Sequence, residues 1–128
     1  LAGAFDAQGQ PSDEVLRLAH LNAAFETGIV NPVDAAIVEA GSRAGLSIAG
    51  WTKVDEIPYD FVRRRLTIVV AAEGQDAPPA IVTKGAVESV LAACTRRRLR
   101  SDTRCARRAR AGTGHALVRR ASQLRHRR

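Results

Sequence analysis

The chain has 128 residues, enough for one domain of ordinary size and too few for two sizeable cores. Apolar residues make up 45% and charged residues 26%, a balance typical of globular rather than disordered proteins. No apolar run approaches the roughly 20 residues that cross a bilayer, and residues 1–6 lack the pattern of a signal peptide. We therefore expect neither a membrane span nor a cleaved leader. The two cysteines, Cys94 and Cys105, are too few for a disulfide framework and fit a reducing cytosol.

The net charge of +7 is divided very unevenly along the chain. Residues 1–94 hold seven basic and twelve acidic side chains, which gives −5, whereas residues 95–128 hold thirteen arginines and one acid, which gives +12. The two parts therefore need separate explanations. We divide the chain into a domain at residues 1–94 and an Arg-rich tail at residues 95–128. Because the apolar residues of the tail are too sparse for a core face, we expect the tail to be poorly ordered.

Two helices are predicted near the start of the chain. The first begins at Ser12, a good N-cap followed by two acidic residues, and ends near Gly28. The second has Asn31 as N-cap and Pro32 at its first position, and ends at Gly45. The apolar side chains of the first helix recur at spacings of three and four and so share one face: Val15, Leu18, Leu21 and Phe25.

Three strands are predicted after residue 50. Residues 51–57 form the first, leading into Pro58, which must lie at a sheet edge or in a turn. Residues 66–71 are rich in β-branched side chains and are the clearest strand, and residues 80–83 follow after a polar connector with Gly and Pro. The spacing favours an antiparallel hairpin between these two strands.

A third helix is predicted to open at Gly85 and to continue through residues 87–93. The resulting order, two helices, three strands and a helix, predicts an α+β fold in which helices cover one side of an antiparallel sheet.

An aromatic and arginine-rich segment is the first candidate site. Residues 57–61 (IPYDF) are followed by arginines at 63–65. An aromatic ring can stack on a purine, and adjacent guanidinium groups can meet phosphate oxygens. The alternative is that Tyr59 and Phe61 pack on the sheet while the arginines form a solvated edge, and composition alone favours it.

Two further candidates involve single charged residues. Lys84 at a strand end, followed by Gly85, lets an ammonium group and the backbone approach a ligand closely. The alternative is an ordinary strand-to-helix turn whose lysine faces water. Asp34 in the second helix is the third candidate, for which compensation of the helix dipole is the favoured alternative.

Taken together, three segments resemble the nucleotide-binding (N) domain of P-type cation-transporting ATPases: residues 31–37, 55–70 and 83–88. The resemblance covers residues 13–93 and is strongest to bacterial magnesium-importing pumps, in which an Ile-Pro-aromatic-Asp-Phe segment precedes an arginine cluster. It implies an N-domain-like α+β fold that is incomplete at its C-terminus, because the family sheet continues after the third helix. It also implies a location on the cytoplasmic face of the inner membrane, as part of a pump.

The resemblance further implies a role for five residues in binding ATP. Tyr59 falls where the family stacks an aromatic ring, usually Phe, on the adenine. Lys84 and Gly85 fall on the Lys-Gly-Ala motif that lines the adenosine pocket, and Arg64 falls on a basic residue directed toward the phosphates. Asp34 falls on a carboxylate, normally Glu, that borders the adenine. Mg²⁺ would arrive chelated by the phosphates of ATP, and an open pocket with few contacts predicts weak binding, on the order of 0.1 to 1 mM.

The sequence contains neither the Asp-Lys-Thr-Gly-Thr segment that accepts the phosphoryl group in P-type pumps nor the hydrolytic Thr-Gly-Asp region. We therefore expect a module that holds ATP for transfer to an Asp outside this chain, with the phosphorylation and membrane domains of a pump as partners and no catalysis by the module alone. No metal site is expected, because Cys94, Cys105, His115 and His126 are too widely spaced for a zinc finger. Two alternatives stay open, a nucleic-acid-binding protein acting through its tail and a nonfunctional remnant.

Overall fold

The computed structural model describes residues 2–28 and 31–94. These residues form three helices and one three-stranded antiparallel sheet, which confirms the predicted order of elements and the α+β class. The expectations for residues 95–128, which include the poorly ordered tail and the incidental Cys105, His115 and His126, lie outside the described residues. The elements are α1 (Asp13–Phe25), α2 (Pro32–Arg43), β1 (Trp51–Asp60), β2 (Arg65–Ala72), β3 (Ala80–Gly85) and α3 (Val87–Ala93).

Both long helices begin at the predicted N-caps. The Ser12 hydroxyl accepts a hydrogen bond from the backbone N–H of Val15 at 3.3 Å, and the Asn31 side chain caps α2 in the same way. The ends differ slightly from the prediction. α1 ends at Phe25, and Glu26 is its C-cap with extended backbone. The segment that follows α1 therefore begins at Glu26, two residues before Gly28. In this segment the Glu26 side chain is directed toward the sheet, where it contacts Lys84.

The core lies between α1 and the sheet. On β2, alternate side chains point to this core, and together with Val82 on β3 they are at most 1% exposed. These β2 residues are Leu66, Ile68 and Val70. Leu18 and Phe25 from α1 pack against them. Alternation on β2 is the period-2 pattern that makes one face of a strand apolar.

The strands run in the order β1-β2-β3, with antiparallel pairing throughout. In the described sheet β1 and β3 are therefore edge strands. α1 packs against β3, and the buried Asn22 amide donates a hydrogen bond to the carbonyl of Val82 at 3.0 Å. This bond ties α1 directly to the backbone of β3.

α1 and α2 approach each other closely at Gly41. A Cβ atom at this position would lie 2.9 Å from Cβ of His20 and would overlap its ring. His20 is 5% exposed and fills the space that a side chain at position 41 would need. At the other end of α2, its first turn lies close to the end of α1, since Asp34 and Glu26 both contact Lys84.

Two predicted boundaries were wrong. β1 continues through Pro58 to Asp60, and an edge strand with irregular register between Ile57 and Asp60 tolerates a residue without a backbone N–H. Gly85 does not open the third helix. It is the last residue of β3, because it pairs with Arg65 in the ladder, and α3 begins at Val87.

Within residues 2–28 and 31–94, no helix combines the length and the hydropathy of a membrane span.

Candidate functional site

A nearly buried cluster of three charged side chains lies where α1, α2 and β3 meet. The Lys84 ammonium lies 2.6 Å from Oε2 of Glu26 and also donates to Oδ1 of Asp34. The Lys84 side chain is 12% exposed and each carboxylate side chain is 9% exposed. The fold thus brings together residues that are 58 and 50 positions apart in sequence.

Asp34 is fixed by the start of α2 as well as by the lysine. Its backbone N–H donates to Oδ1 of Asn31 at 3.0 Å, and its Oδ2 accepts a hydrogen bond from the Asn31 amide. Both carboxylate oxygens therefore have partners. The predicted alternative, that Asp34 only compensates the helix dipole, does not account for its bond to Lys84.

Burial raises the pKa of Glu26, and the hydrogen bond and positive charge of Lys84 offset this effect only in part. The nearby negative charge of Asp34 acts in the same direction as burial. With both carboxylates ionised the cluster carries one net negative charge. An ammonium group has three N–H donors, of which the two carboxylates take two. The third N–H of Lys84 has no hydrogen-bond partner among residues 2–28 and 31–94.

A second ion pair lies beside the end of α1. Lys53 on β1 contacts Glu56 at 2.9 Å and also donates to the carbonyl of Phe25 at 3.1 Å. Burial acts to raise the pKa of Glu56, but hydrogen bonds from Thr27 and Lys53 outweigh it and lower the pKa overall. Glu56 therefore stays ionised, and the pair ties the C-terminus of α1 to the sheet.

The turn between β1 and β2 is a compact loop organised by Asp60. Its Oδ1 accepts the backbone N–H groups of Val62 at 2.8 Å and Arg63 at 2.7 Å, and its Oδ2 accepts from the Arg63 guanidinium at 2.9 Å. The backbone N–H of Arg63, followed by its side chain, holds the pKa of Asp60 below its usual range. An ionised Asp60 therefore stabilises the turn.

The two aromatic rings of this hairpin face solvent. Tyr59 is 45% exposed, and Phe61, which is 79% exposed, meets it edge to face with ring centroids 5.2 Å apart. The alternative that composition favoured, in which both rings pack on the sheet, does not hold for Phe61. The edge-to-face contact with Phe61 restricts the orientation of the Tyr59 ring, and the Tyr59 side chain stays about half exposed.

Arg64 and Gly85 are brought together by their backbones. Arg64 has a φ of 51°, in the left-handed region, and its carbonyl accepts the N–H of Ala86 at 3.0 Å. A Cβ atom at Gly85 would lie 2.7 Å from Cα of Arg65. The close approach that Gly85 allows in this structure is thus to the β1–β2 turn. A ligand contact by Gly85 stays a prediction.

All five predicted site residues lie toward one end of the molecule. Asp60, Arg65 and Gly85 form one row across the three strands, and Tyr59 and Lys84 each adjoin an end of that row. β1 and β3 are two strand spacings apart, or about 10 Å. The structure joins Lys84 to Asp34 and Arg64 to Gly85, while Tyr59 contacts Phe61. Their roles in binding stay predictions.

Glu26 was missed by the sequence analysis. The available signal was an acidic residue at the C-terminal end of a predicted helix, where the helix dipole disfavours negative charge. An unfavourable local position indicates a partner elsewhere in the fold, and here that partner is Lys84.

In the part of the chain that the structure describes, no group of three or more His, Cys, Asp or Glu side chains is arranged to hold a metal ion. The charged cluster at the end of the sheet contains two carboxylates and an ammonium group instead.

Comparison with known proteins identifies the family. The sequence model of the P-type ATPase cytoplasmic domain N matches residues 20–106, which is more than half of the chain. The chain belongs to this family. The match confirms the resemblance stated from the motifs, and it includes both carboxylates of the cluster, the β1–β2 hairpin and Lys84.

Relatives of this N domain are magnesium-transporting P-type ATPases. The chain is 40% identical over 99 residues to "Magnesium-transporting ATPase, P-type 1" of Salmonella typhimurium (strain 14028s / SGSC 2262), covering 76% of the chain and 11% of that protein. It is 39% identical over 92 residues to the protein of the same name in Escherichia coli (strain K12), covering 70% of the chain and 10% of that protein. The chain thus spans about a tenth of the length of the curated relatives it matches.

Proposed function

We propose that this N domain binds ATP, with the adenine at the cluster of Glu26, Asp34 and Lys84 and the phosphates toward the arginines of the β1–β2 turn. The observation that carries the proposal is the Lys84 ammonium, held between two carboxylates at the end of the sheet where the Tyr59 ring is half exposed. The described site can supply a stacking surface, hydrogen-bond donors and acceptors, and positive charge.

The cluster suits the edge of an adenine ring. The remaining N–H of Lys84 can donate to a ring nitrogen, and the carboxylate of Asp34 can accept the exocyclic amine. The Tyr59 face can stack on the base, an interaction that contributes about 1 to 3 kcal/mol per base. Guanine would present a carbonyl oxygen in place of the amine, which a carboxylate repels. The arrangement therefore favours adenine over guanine.

The charges of the two regions orient the nucleotide. The cluster carries one net negative charge when its carboxylates are ionised, so the phosphates are disfavoured there. At the turn, Arg64 has an exposed side chain on a backbone that Ala86 holds by a hydrogen bond. Guanidinium groups bind phosphate oxygens through charge-assisted hydrogen bonds. Mg²⁺ would enter with ATP, chelated by its phosphates.

Within a complete pump, the N domain would present ATP to an Asp on a separate phosphorylation domain. That Asp and the membrane domain with the cation sites are the partners that the proposal requires. The chain would bind and orient the nucleotide without catalysing transfer. The relatives named as magnesium-transporting ATPases support magnesium as the cation of such a pump.

A nitrogen-15 NMR titration of the 128-residue chain with MgATP tests the proposal. We expect amide shifts at residues 59–64 and around Lys84, and we expect tripolyphosphate, which lacks a base, to reproduce only the shifts at the arginines. Tyr59→Leu should weaken ATP binding about tenfold, whereas the matched Tyr59→Phe, which keeps the ring, should bind like the wild type.

The phosphate end has its own matched pair of variants. Arg64→Gln should weaken MgATP binding several-fold, while Arg43→Gln, which removes an exposed arginine of α2, should not. Equal binding of ATP and tripolyphosphate, together with no effect of Tyr59→Leu, would refute a purine site in this domain.

Nucleic-acid binding is a second candidate function, because residues 95–128 contain thirteen arginines. Binding through many arginine–phosphate contacts falls steeply with salt, whereas stacking of adenine is much less sensitive. Titration of a short DNA duplex and of MgATP at several salt concentrations separates the two functions. A steep salt dependence for both ligands, with competition between them, would favour the tail.

A further inference from the structure

The Glu26 carboxylate adds to the nucleotide site a group that the sequence motifs did not assign. It lies at the C-cap of α1, and its Oε2 contacts the Lys84 ammonium at 2.6 Å. Asp34 contacts the same ammonium from α2. If Asp34 turns one oxygen toward a bound base, Lys84 keeps its other partner. The two carboxylates therefore have different roles, since Glu26 can hold Lys84 while Asp34 turns toward the base.

We propose that Glu26 is a positioning residue of the nucleotide site, which holds the Lys84 ammonium in place and, through its own ionisation, sets how much negative charge the bound nucleotide meets. This inference rests on the proposed ATP-binding function. When Glu26 is ionised, the cluster is negative and opposes an anionic ligand. When Glu26 takes up a proton, the cluster becomes neutral, and Asp34 still holds the lysine.

The charged groups around Glu26 come from three elements. Lys84 on β3 and Asp34 on α2 belong to the cluster, and the pair of Lys53 and Glu56 on β1 lies beside the end of α1. Glu56 has a lowered pKa and stays ionised and paired. Burial raises the pKa of Glu26, and the negative charge of Asp34 acts in the same direction. Glu26 therefore takes up its proton at a higher pH than an ordinary glutamate does.

The test compares the affinity of the wild-type chain and of Glu26→Gln for MgATP by calorimetric titration, from about pH 8 down to about pH 5. At the upper end Glu26→Gln should bind about threefold to tenfold more tightly, since it lacks one negative charge near the nucleotide. The ratio of the two affinities should fall toward one as the pH drops through the raised pKa of Glu26, because the wild-type carboxyl group is then protonated. Protonation of ATP itself affects both proteins equally and cancels in the ratio.

Glu39→Gln is the matched control, because Glu39 lies on the exposed face of α2 and pairs with Arg43 away from the cluster. Its affinity should follow the wild type at every pH. A ratio for Glu26→Gln that stays constant with pH, or looser binding by this variant, would overturn the role of Glu26 while leaving the ATP site intact. Absence of MgATP binding by the wild type at every pH would instead refute the proposed function, and this inference with it.

A measurement on the wild type covers the case in which Glu26→Gln does not fold. The carbon-13 shift of the Glu26 carboxyl group reports its titration directly, with and without MgATP. Because proton and nucleotide binding are linked, a bound anion should raise the pKa of Glu26. An unchanged titration in the nucleotide-bound chain would overturn the inference.

Discussion

Replacing Gly85 with alanine should destabilise the domain by about 2 to 4 kcal/mol. The added Cβ would lie 2.7 Å from Cα of Arg65 and would overlap the carbonyl of Arg64. These are backbone atoms fixed by the β2–β3 ladder, so no side-chain rotation relieves the contact. Overpacking of this kind costs about 1 to 3 kcal/mol. Separation of the strands would also break the bond between Ala86 and Arg64, which contributes about 1 kcal/mol.

Urea unfolding of the full chain, followed by fluorescence of Trp51, measures this change, since Trp51 is the only tryptophan and packs against the core. Gly28→Ala is the matched control. Its Cβ would lie 3.6 Å from the nearest atom of the Glu26 side chain, an ordinary contact, so its free energy of unfolding should stay within about 0.5 kcal/mol of the wild type. If Gly85→Ala were equally harmless, the β3 end would not be packed against the turn, and our account of how Arg64 is positioned would be wrong.

Three further substitutions test other parts of the structure. Lys84→Met leaves two buried carboxylates without their cation, so it should lower the free energy of unfolding by about 3 to 5 kcal/mol near neutral pH. The loss should be smaller at acidic pH, because a proton can replace the missing positive charge. An equal loss at neutral and acidic pH would contradict this reasoning. Asn22→Ala should cost about 0.5 to 1.5 kcal/mol in urea unfolding, because the hydrogen bond from α1 to the Val82 carbonyl is lost, and an unchanged midpoint would show that this bond does not contribute to stability. The pKa of Asp60 is lowered, so its hold on the turn is present above the ordinary Asp range and is lost only as the pH falls through the lowered value. Hydrogen exchange of the Arg63 amide should therefore be protected near neutral pH in the wild type and unprotected in Asp60→Ala, and equal protection would refute the role of Asp60.

Local signals predicted the helices well because an N-cap acts within one turn. Ser12 and Asn31 each accept a backbone N–H three residues ahead, and neither bond depends on the rest of the fold. The strands were predicted in the right places but not with the right ends. β1 extends past Pro58 because its pairing with β2 continues, and Gly85 stays in β3 because Arg65 lies opposite. Strand ends depend on a partner strand that the local sequence does not contain.

The candidate site was predictable to a similar extent. The motifs indicated Asp34 and Lys84, and the structure places these two side chains in direct contact. Glu26 was missed because its contact with Lys84 spans 58 positions and belongs to no motif. The close packing of Gly85 on Arg64 was also missed, since a glycine in sequence does not show whether a ligand or a backbone fills the space beside it.

Stability alone does not explain the composition of the Lys84 cluster. Removing charges from water is costly, and apolar side chains of similar volume often stabilise a protein as well as a buried ion pair or better. Here the cluster has two carboxylates for one ammonium, so it keeps a net negative charge when both are ionised, and one N–H of Lys84 has no carboxylate partner. In the proposed complex, the edge of adenine would supply an acceptor for this N–H and a donor for a carboxylate oxygen. Stability alone would favour a neutral or apolar contact at this point, whereas recognition of a base requires an ammonium group whose position is already fixed.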